Sequence, residues 1–155
     1  MIGLPASVDP SGLRPEAVKE RALVLFESGY NCAETFVVAF AGELGADEDI
    51  MRFVTPFGAG IGGRRDLCGM ITGGALVIGL VYGRTDPADL ERKTEVYRRS
   101  AKYYRWFKTE RQLKCSEIVT GKFTGHTGAC VSLMIDAIDK LAEILREPPN
   151  QGAER

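Results

Sequence analysis

The amino-acid sequence predicts an all-α fold, a compact bundle of five or six helices around a buried Gly-rich central helix. Three observations carry this expectation. Apolar residues recur at three- and four-residue spacing in several separate segments. The stretch from Leu67 to Gly83 runs for 17 residues without a charge, yet holds Gly69, Gly73, Gly74 and Gly79. Four cysteines, Cys32, Cys68, Cys115 and Cys130, each stand at the expected start of a helix, close to a turn-like or polar residue and before an apolar run.

The elements follow in order. Residues 1–13, with Pro5, Pro10 and Gly12, read as a flexible arm. A first helix is expected from Pro15 to about Glu27, because proline suits the first helical position and Val18, Ala22, Leu25 and Phe26 form a stripe. Ser28-Gly29-Tyr30-Asn31 ends it, and Asn31 is a natural N-cap for a second helix with Phe36, Val37, Phe40 and Leu44 inward. A short third helix is expected from Asp47 to about Val54, stopped before Pro56. The run Phe57-Gly58-Ala59-Gly60-Ile61-Gly62-Gly63 satisfies GxGxxG but follows no strand, so a dinucleotide site is not expected. Its glycines instead let the backbone pass close to a bulky group near Cys68.

The uncharged segment from Leu67 to about Tyr82 is the fourth helix. Glycine inside a helix costs about 1 kcal/mol relative to alanine. A helix with several is expected to gain close approach to its neighbours and to leave volume beside Cys68. At 17 residues it is marginal for a membrane span, and none is expected. The fifth helix is expected from Pro87, capped by Asp86, to about Arg111, with Leu90, Tyr97, Ala101, Tyr104 and Phe107 inward. A short turn or helix follows at Cys115–Val119, then a Gly/Thr loop carrying His126. The sixth long helix spans about Ala129 to Arg146, with Val131, Met134, Ile138, Leu141 and Leu145 inward. Pro148 and Pro149 end it. The division is thus an arm at 1–13, one all-α domain at 14–147 and a frayed tail at 148–155.

Composition bounds the function. The chain opens without a basic and apolar leader, so the cytoplasm is the expected compartment, where structural disulfides are disfavoured. That tilts the cysteines toward metal binding or catalytic redox work. No CxxC is present, which removes the zinc-ribbon, thioredoxin and c-type haem motifs. A helix N-terminus favours thiolate over thiol and offers N–H donors to sulfur, so four such cysteines point to one shared redox or metal centre. The alternative is four small buried hydrophobes. Residues 98–114 hold seven basic residues and one acid, a net +6, which leaves −7 elsewhere in a chain of net −1. This segment is read as a docking patch for an acidic partner or as a solvated helix face. Tyr103, Tyr104 and Trp106 interleave with it, but without a binding motif nucleic acid is not expected. Glu34 and Glu117 are ordinary first-turn acids, and His126 has no nucleophile motif around it.

The chain resembles the C_GCAxxG_C_C family of redox-active four-cysteine proteins. Gly29-Tyr30-Asn31-Cys32-Ala33-Glu34 is similar to the family's first cysteine site, Phe57-Gly58-Ala59-Gly60-Ile61-Gly62 to its Gly-rich approach, and Cys68-Gly69-Met70-Ile71-Thr72-Gly73 to its central element. Cys115 and Cys130 match the third and fourth cysteines, and the resemblance covers roughly residues 18–140. It implies redox activity. A related domain in a multi-haem cytochrome carries an iron–sulfur centre, but a chain with one histidine and no CxxCH cannot hold that protein's haems. On this resemblance the first expectation is a [2Fe–2S] or [4Fe–4S] cluster in electron transfer, ligated by Cys32, Cys68, Cys115 and Cys130 and approached by Gly58, Gly60, Gly62, Gly69 and Gly73. The basic segment would then steer an acidic redox partner. The alternatives are a metal-free thiol–disulfide oxidoreductase, with Cys68 attacking and Cys115 or Cys130 resolving, and a structural four-cysteine zinc site. Zinc is disfavoured because the closest pair, Cys115 and Cys130, is 15 positions apart. A homodimer, or a cluster bridging two chains, is the alternative to packing within one chain.

Overall fold

The structure, a computed structural model, describes residues 8–121 and 128–149. Within them lie seven α-helices: α1 (Pro15–Glu27), α2 (Cys32–Leu44), α3 (Met51–Val54), α4 (Gly69–Tyr82), α5 (Leu90–Glu110), α6 (Cys115–Ile118) and α7 (Gly128–Arg146). No strand is present among the described residues, which agrees with the all-α expectation. None of the described helices is long and apolar enough to cross a membrane.

Local chemistry sets the helix ends. Pro15 opens α1. Asn31 caps α2 through a reciprocal pair: its side chain accepts from the Glu34 N–H at 3.0 Å, and the Glu34 carboxylate accepts from the Asn31 N–H at 2.9 Å. Gly45, at φ 70°, closes α2 in the left-handed region. The expected third helix is a composite. Asp47 caps a 3-10 turn at Glu48–Ile50, α3 follows, and a second 3-10 turn at Thr55–Phe57 absorbs Pro56.

The core is shared by α1, α2, α4 and α7. Val18, Ala22 and Phe26 of α1, Phe36 and Phe40 of α2, Val77 and Ile78 of α4, and Met134, Ile138, Leu141 and Leu145 of α7 are buried. Each large apolar side chain so placed stabilises the fold by about 1.5–3 kcal/mol. Val8 and Leu13, assigned from the sequence to the arm, are also buried, and the Arg146 guanidinium donates to the Leu13 carbonyl. The expected close approach along the glycine-rich helix is present. A Cβ on Gly73 would lie 3.4 Å from Val37 of α2, and one on Gly74 would overlap the Tyr103 ring of α5. The helix is not buried all round, however. Ala75 is exposed, and Thr72, Leu76, Gly79 and Leu80 are only half covered.

Helix α5 departs from expectation in start and in register. Pro87 occupies the second position of a turn closed by the Asp89 N–H to the Asp86 carbonyl at 3.1 Å, so the cap is Asp89, which accepts from the Arg92 N–H at 2.9 Å. Of the five residues expected inward, only Phe107 is buried. Leu90, Tyr97 and Tyr104 are 65%, 66% and 42% exposed, and Ala101 is exposed as well. The buried face is Arg99, Tyr103 and Phe107. Arg99 explains the shift. Its Nε donates to Glu95 at 2.6 Å, its terminal nitrogens donate to the carbonyls of Ile144 and Glu147, and its guanidinium lies 4.0 Å from the Tyr82 ring centroid. A buried charge fully paired in this way satisfies the bare carbonyls at the end of α7 and fixes α5 against it.

Candidate functional site

The four cysteines converge. Cys32 is the first residue of α2, Cys68 the N-cap of α4, Cys115 the first residue of α6 and Cys130 the third residue of α7. All four are 9% exposed or less, and all four line one cavity with Ala59, Gly69, Met70, Ile118, Val119 and Leu133. The cavity volume is about 20 Å³, room for about one water molecule. No disulfide joins the described cysteines.

A two-stranded contact aligns two of them. Leu67 and Lys114 form an antiparallel bridge. Around it the Cys68 N–H donates to the Leu113 carbonyl at 2.9 Å, and the Cys115 N–H donates to the Asp66 carbonyl at 2.8 Å. Their side chains therefore enter the cavity from the same face of the ribbon. Helix α2 brings Cys32 against α4, where a Cβ on Gly69 would overlap the Cys32 Sγ. Glycine at 69 is thus what admits that sulfur.

The segment between Phe57 and Asp66 contributes Ala59 to the cavity lining. Ala59, Ile61 and Arg65 have φ of 49°, 66° and 59°, and Gly60, Gly62 and Gly63 are also left-handed. A β-branched residue in this region is strained. The conformation is held by backbone bonds, Gly62 N–H to Pro56 at 2.8 Å, Arg65 N–H to Ala59 at 2.9 Å and Asp66 N–H to Gly60 at 3.1 Å. The Arg65 guanidinium donates to the carbonyls of Val119 and Gly121, which ties this segment to the chain after Cys115.

Burial dominates the electrostatics. It pushes the Cys68 thiol up to about 12, against a hydrogen bond from the Met70 N–H and with repulsion from the other three cysteines. It also raises Cys32, against N–H donors from Ala59 and Ala33, with repulsion from Cys115 and Cys130. The sequence-based expectation that helix N-termini would favour thiolate is therefore corrected for these two: the N–H groups are in place, but desolvation outweighs them.

The expected glycines divide. Only Gly69 lines the cavity. A Cβ on Gly58 would overlap the Asn31 side chain and one on Gly60 the backbone of Arg65 and Asp66, whereas Gly62 has open space around it and Gly73 meets α2. Glu34 and Glu117 cap their helices, in agreement with their reading as first-turn acids. His126 lies outside the described residues. The sequence reading missed Ala59, Ile118, Val119 and Leu133 in the lining and Tyr103 behind it. The Tyr103 hydroxyl donates to the Met70 carbonyl at 3.0 Å, and burial holds it well above its ordinary value. The unusual run Phe57–Gly63 was the only signal for Ala59. Among the described residues, no group of three or more His, Cys, Asp or Glu side chains is arranged around a single metal ion.

No curated protein and no solved structure matches the chain. The family described as "Putative redox-active protein (C_GCAxxG_C_C)" matches residues 30–144, with all four cysteines inside that span. The chain, with its four cysteines on one buried cavity, belongs to this C_GCAxxG_C_C family.

Proposed function

We propose that the protein is an electron carrier whose Cys32, Cys68, Cys115 and Cys130 ligate an iron–sulfur cluster. The observation that carries this reading is that four helix N-termini deliver four buried cysteines to one apolar cavity. Four thiolates are the common ligand set of [2Fe–2S] and [4Fe–4S] clusters, which supply one-electron transfer when bound. The donor set fits: four sulfurs, with no histidine or carboxylate among the described residues of the lining. Burial opposes ionisation of Cys32 and Cys68, and metal ligation would offset that cost by binding the thiolates as their protons are released. The N–H groups of Ala59 and Met70 are then placed to hydrogen-bond ligand sulfurs, which tunes potential. The cavity of about 20 Å³ is smaller than a cluster, so its lining would have to open for Cys32, Cys68, Cys115 and Cys130 to hold one.

A second reading rests on the ribbon that sets Cys68 beside Cys115. A thiol–disulfide oxidoreductase would use Cys68 as nucleophile, but a thiol pushed to about 12 and 6% exposed is a poor one at neutral pH. Single Cys→Ser variants at positions 32, 68, 115 and 130, purified without oxygen, separate the two. The cluster reading expects each to lose most of its iron and visible colour. Full iron retention in any three of the four would sink it, and a Cys68–Cys115 disulfide cycling with a thiol reductant would replace it.

A further inference from the structure

A second and larger cavity, an open groove of about 580 Å³, lies between α4 and α5. It exists because small residues face one another across these helices: Thr72 and Ala75 on α4, Ser100 and Ala101 on α5. Below them Tyr103, seated against Gly74, sets the helix spacing. Leu67, Ile71 and the Tyr104 ring complete an apolar wall. The volume falls within the range of small-molecule sites, about 300–1,000 Å³.

Charge singles out one end of this groove. Five of the seven basic residues in 98–114 are already in ion pairs: Arg98 with Glu95 and Glu147, Arg99 with Glu95, Lys102 with Glu147, Arg111 with Asp136 and Lys114 with Asp66. Arg105 and Lys108 are in no ion pair among the described residues, and both line the groove. They stand one helical turn apart on α5, so their cationic ends share a face. The segment that looked like a broad basic patch therefore offers its unpaired charge at one place, beside an apolar surface. An arginine fork with a lysine point charge next to it is suited to a carboxylate or phosphate.

We propose that this groove binds a small amphipathic organic anion, with a flat apolar body lying between Ala75, Ala101 and Tyr104 and its carboxylate or phosphate held by Arg105 and Lys108. The bound molecule sits one side-chain layer from the cysteine cavity. Leu67 and Ile71 flank Cys68 in the chain, and Tyr103 reaches from the groove to the carbonyl of Met70, which lines that cavity. The groove stands on its own residues and requires no metal on the cysteines.

The test is calorimetric titration of the full chain with naphthyl phosphate, with naphthol and with inorganic phosphate. Naphthyl phosphate is expected to bind once per chain, at least about tenfold more tightly than naphthol or phosphate alone. The double variant Arg105→Gln/Lys108→Gln is expected to lower naphthyl phosphate to the level of naphthol, and Ala101→Phe, which fills the groove, to abolish both. All three positions are exposed, so the fold is retained, and circular dichroism checks this. Absence of saturable binding overturns the proposal, as does an affinity for naphthyl phosphate that the double variant leaves unchanged. A wild-type chain that binds none and sediments as a dimer, which Ala101→Phe returns to monomer, would put a second copy in the groove and also overturn it.

Discussion

Gly69 is the tightest point of the cysteine site. An added Cβ there would overlap the Cys32 Sγ and lie 3.1 Å from the Ala33 nitrogen, so the sulfur would have to move. Gly69→Ala is expected to destabilise the fold by about 1–3 kcal/mol, the cost of overpacking a full site, and to displace Cys32. Urea unfolding measures the first effect and bound iron the second; an unchanged midpoint with full iron would show that the sulfur has another place to go. Ile61 offers the opposite case. It is 46% exposed and held at φ 66°, so it gains little from burial while its branched Cβ is strained. Ile61→Gly is expected to raise stability by about 1 kcal/mol. A lower unfolding midpoint for this variant would mean that the side chain, not the backbone, holds the turn.

At the scale of elements, the clasp between α5 and α7 determines how the bundle closes. Hydrogen bonds from Arg98, and then from Arg99, hold the Glu95 carboxyl below its ordinary value of 4.5, with burial opposing them. A carboxyl depressed on folding contributes stability that is present above the unfolded value and lost as pH falls through the folded one. Stability is therefore expected to fall with acid below about 4.5. Glu95→Gln should flatten that part of the pH profile and cost about 1.5–3 kcal/mol at neutral pH, the scale of a hydrogen bond to a charged group. A profile identical to wild type in denaturant melts between pH 3 and 5 would remove Glu95 from the account. This clasp is also where sequence reading stopped. Asn31, Pro15 and the stripe of α7 from Met134 to Leu145 are local signals, and each stands in the structure where periodicity and capping put it, whereas Val131 is only half-buried. The inward face of α5 is not local. Leu90, Tyr97 and Tyr104 look like core, yet Arg99 takes the interior because the carbonyls of Ile144 and Glu147, some 45 residues away in the chain, need donors. No pattern within α5 announces that demand.

For the whole molecule, the same division holds at the candidate site. Four cysteines at helix starts are visible in the sequence, and their convergence follows once the helices pack. The sign of the electrostatics at Cys32 and Cys68 does not follow. Helix N-termini argue for thiolate, and only the assembled core, which leaves Cys68 at 6% exposure, reverses the balance. The Gly58–Gly63 run is equally legible as unusual, but its left-handed backbone, which sets Ala59 at the cavity, needs the φ angles. What the bundle then presents is a buried, sulfur-lined centre in which Cys32 and Cys68 resist ionisation, and the convergence of its four cysteines is the property on which the proposed cluster rests. The most direct test is the iron and acid-labile sulfide content of the intact chain purified without oxygen, read with its visible spectrum before and after reduction. The account predicts iron and sulfide in roughly equal amounts, about two or four of each per chain, with absorbance that bleaches on reduction. A colourless protein with neither iron nor sulfide would contradict it.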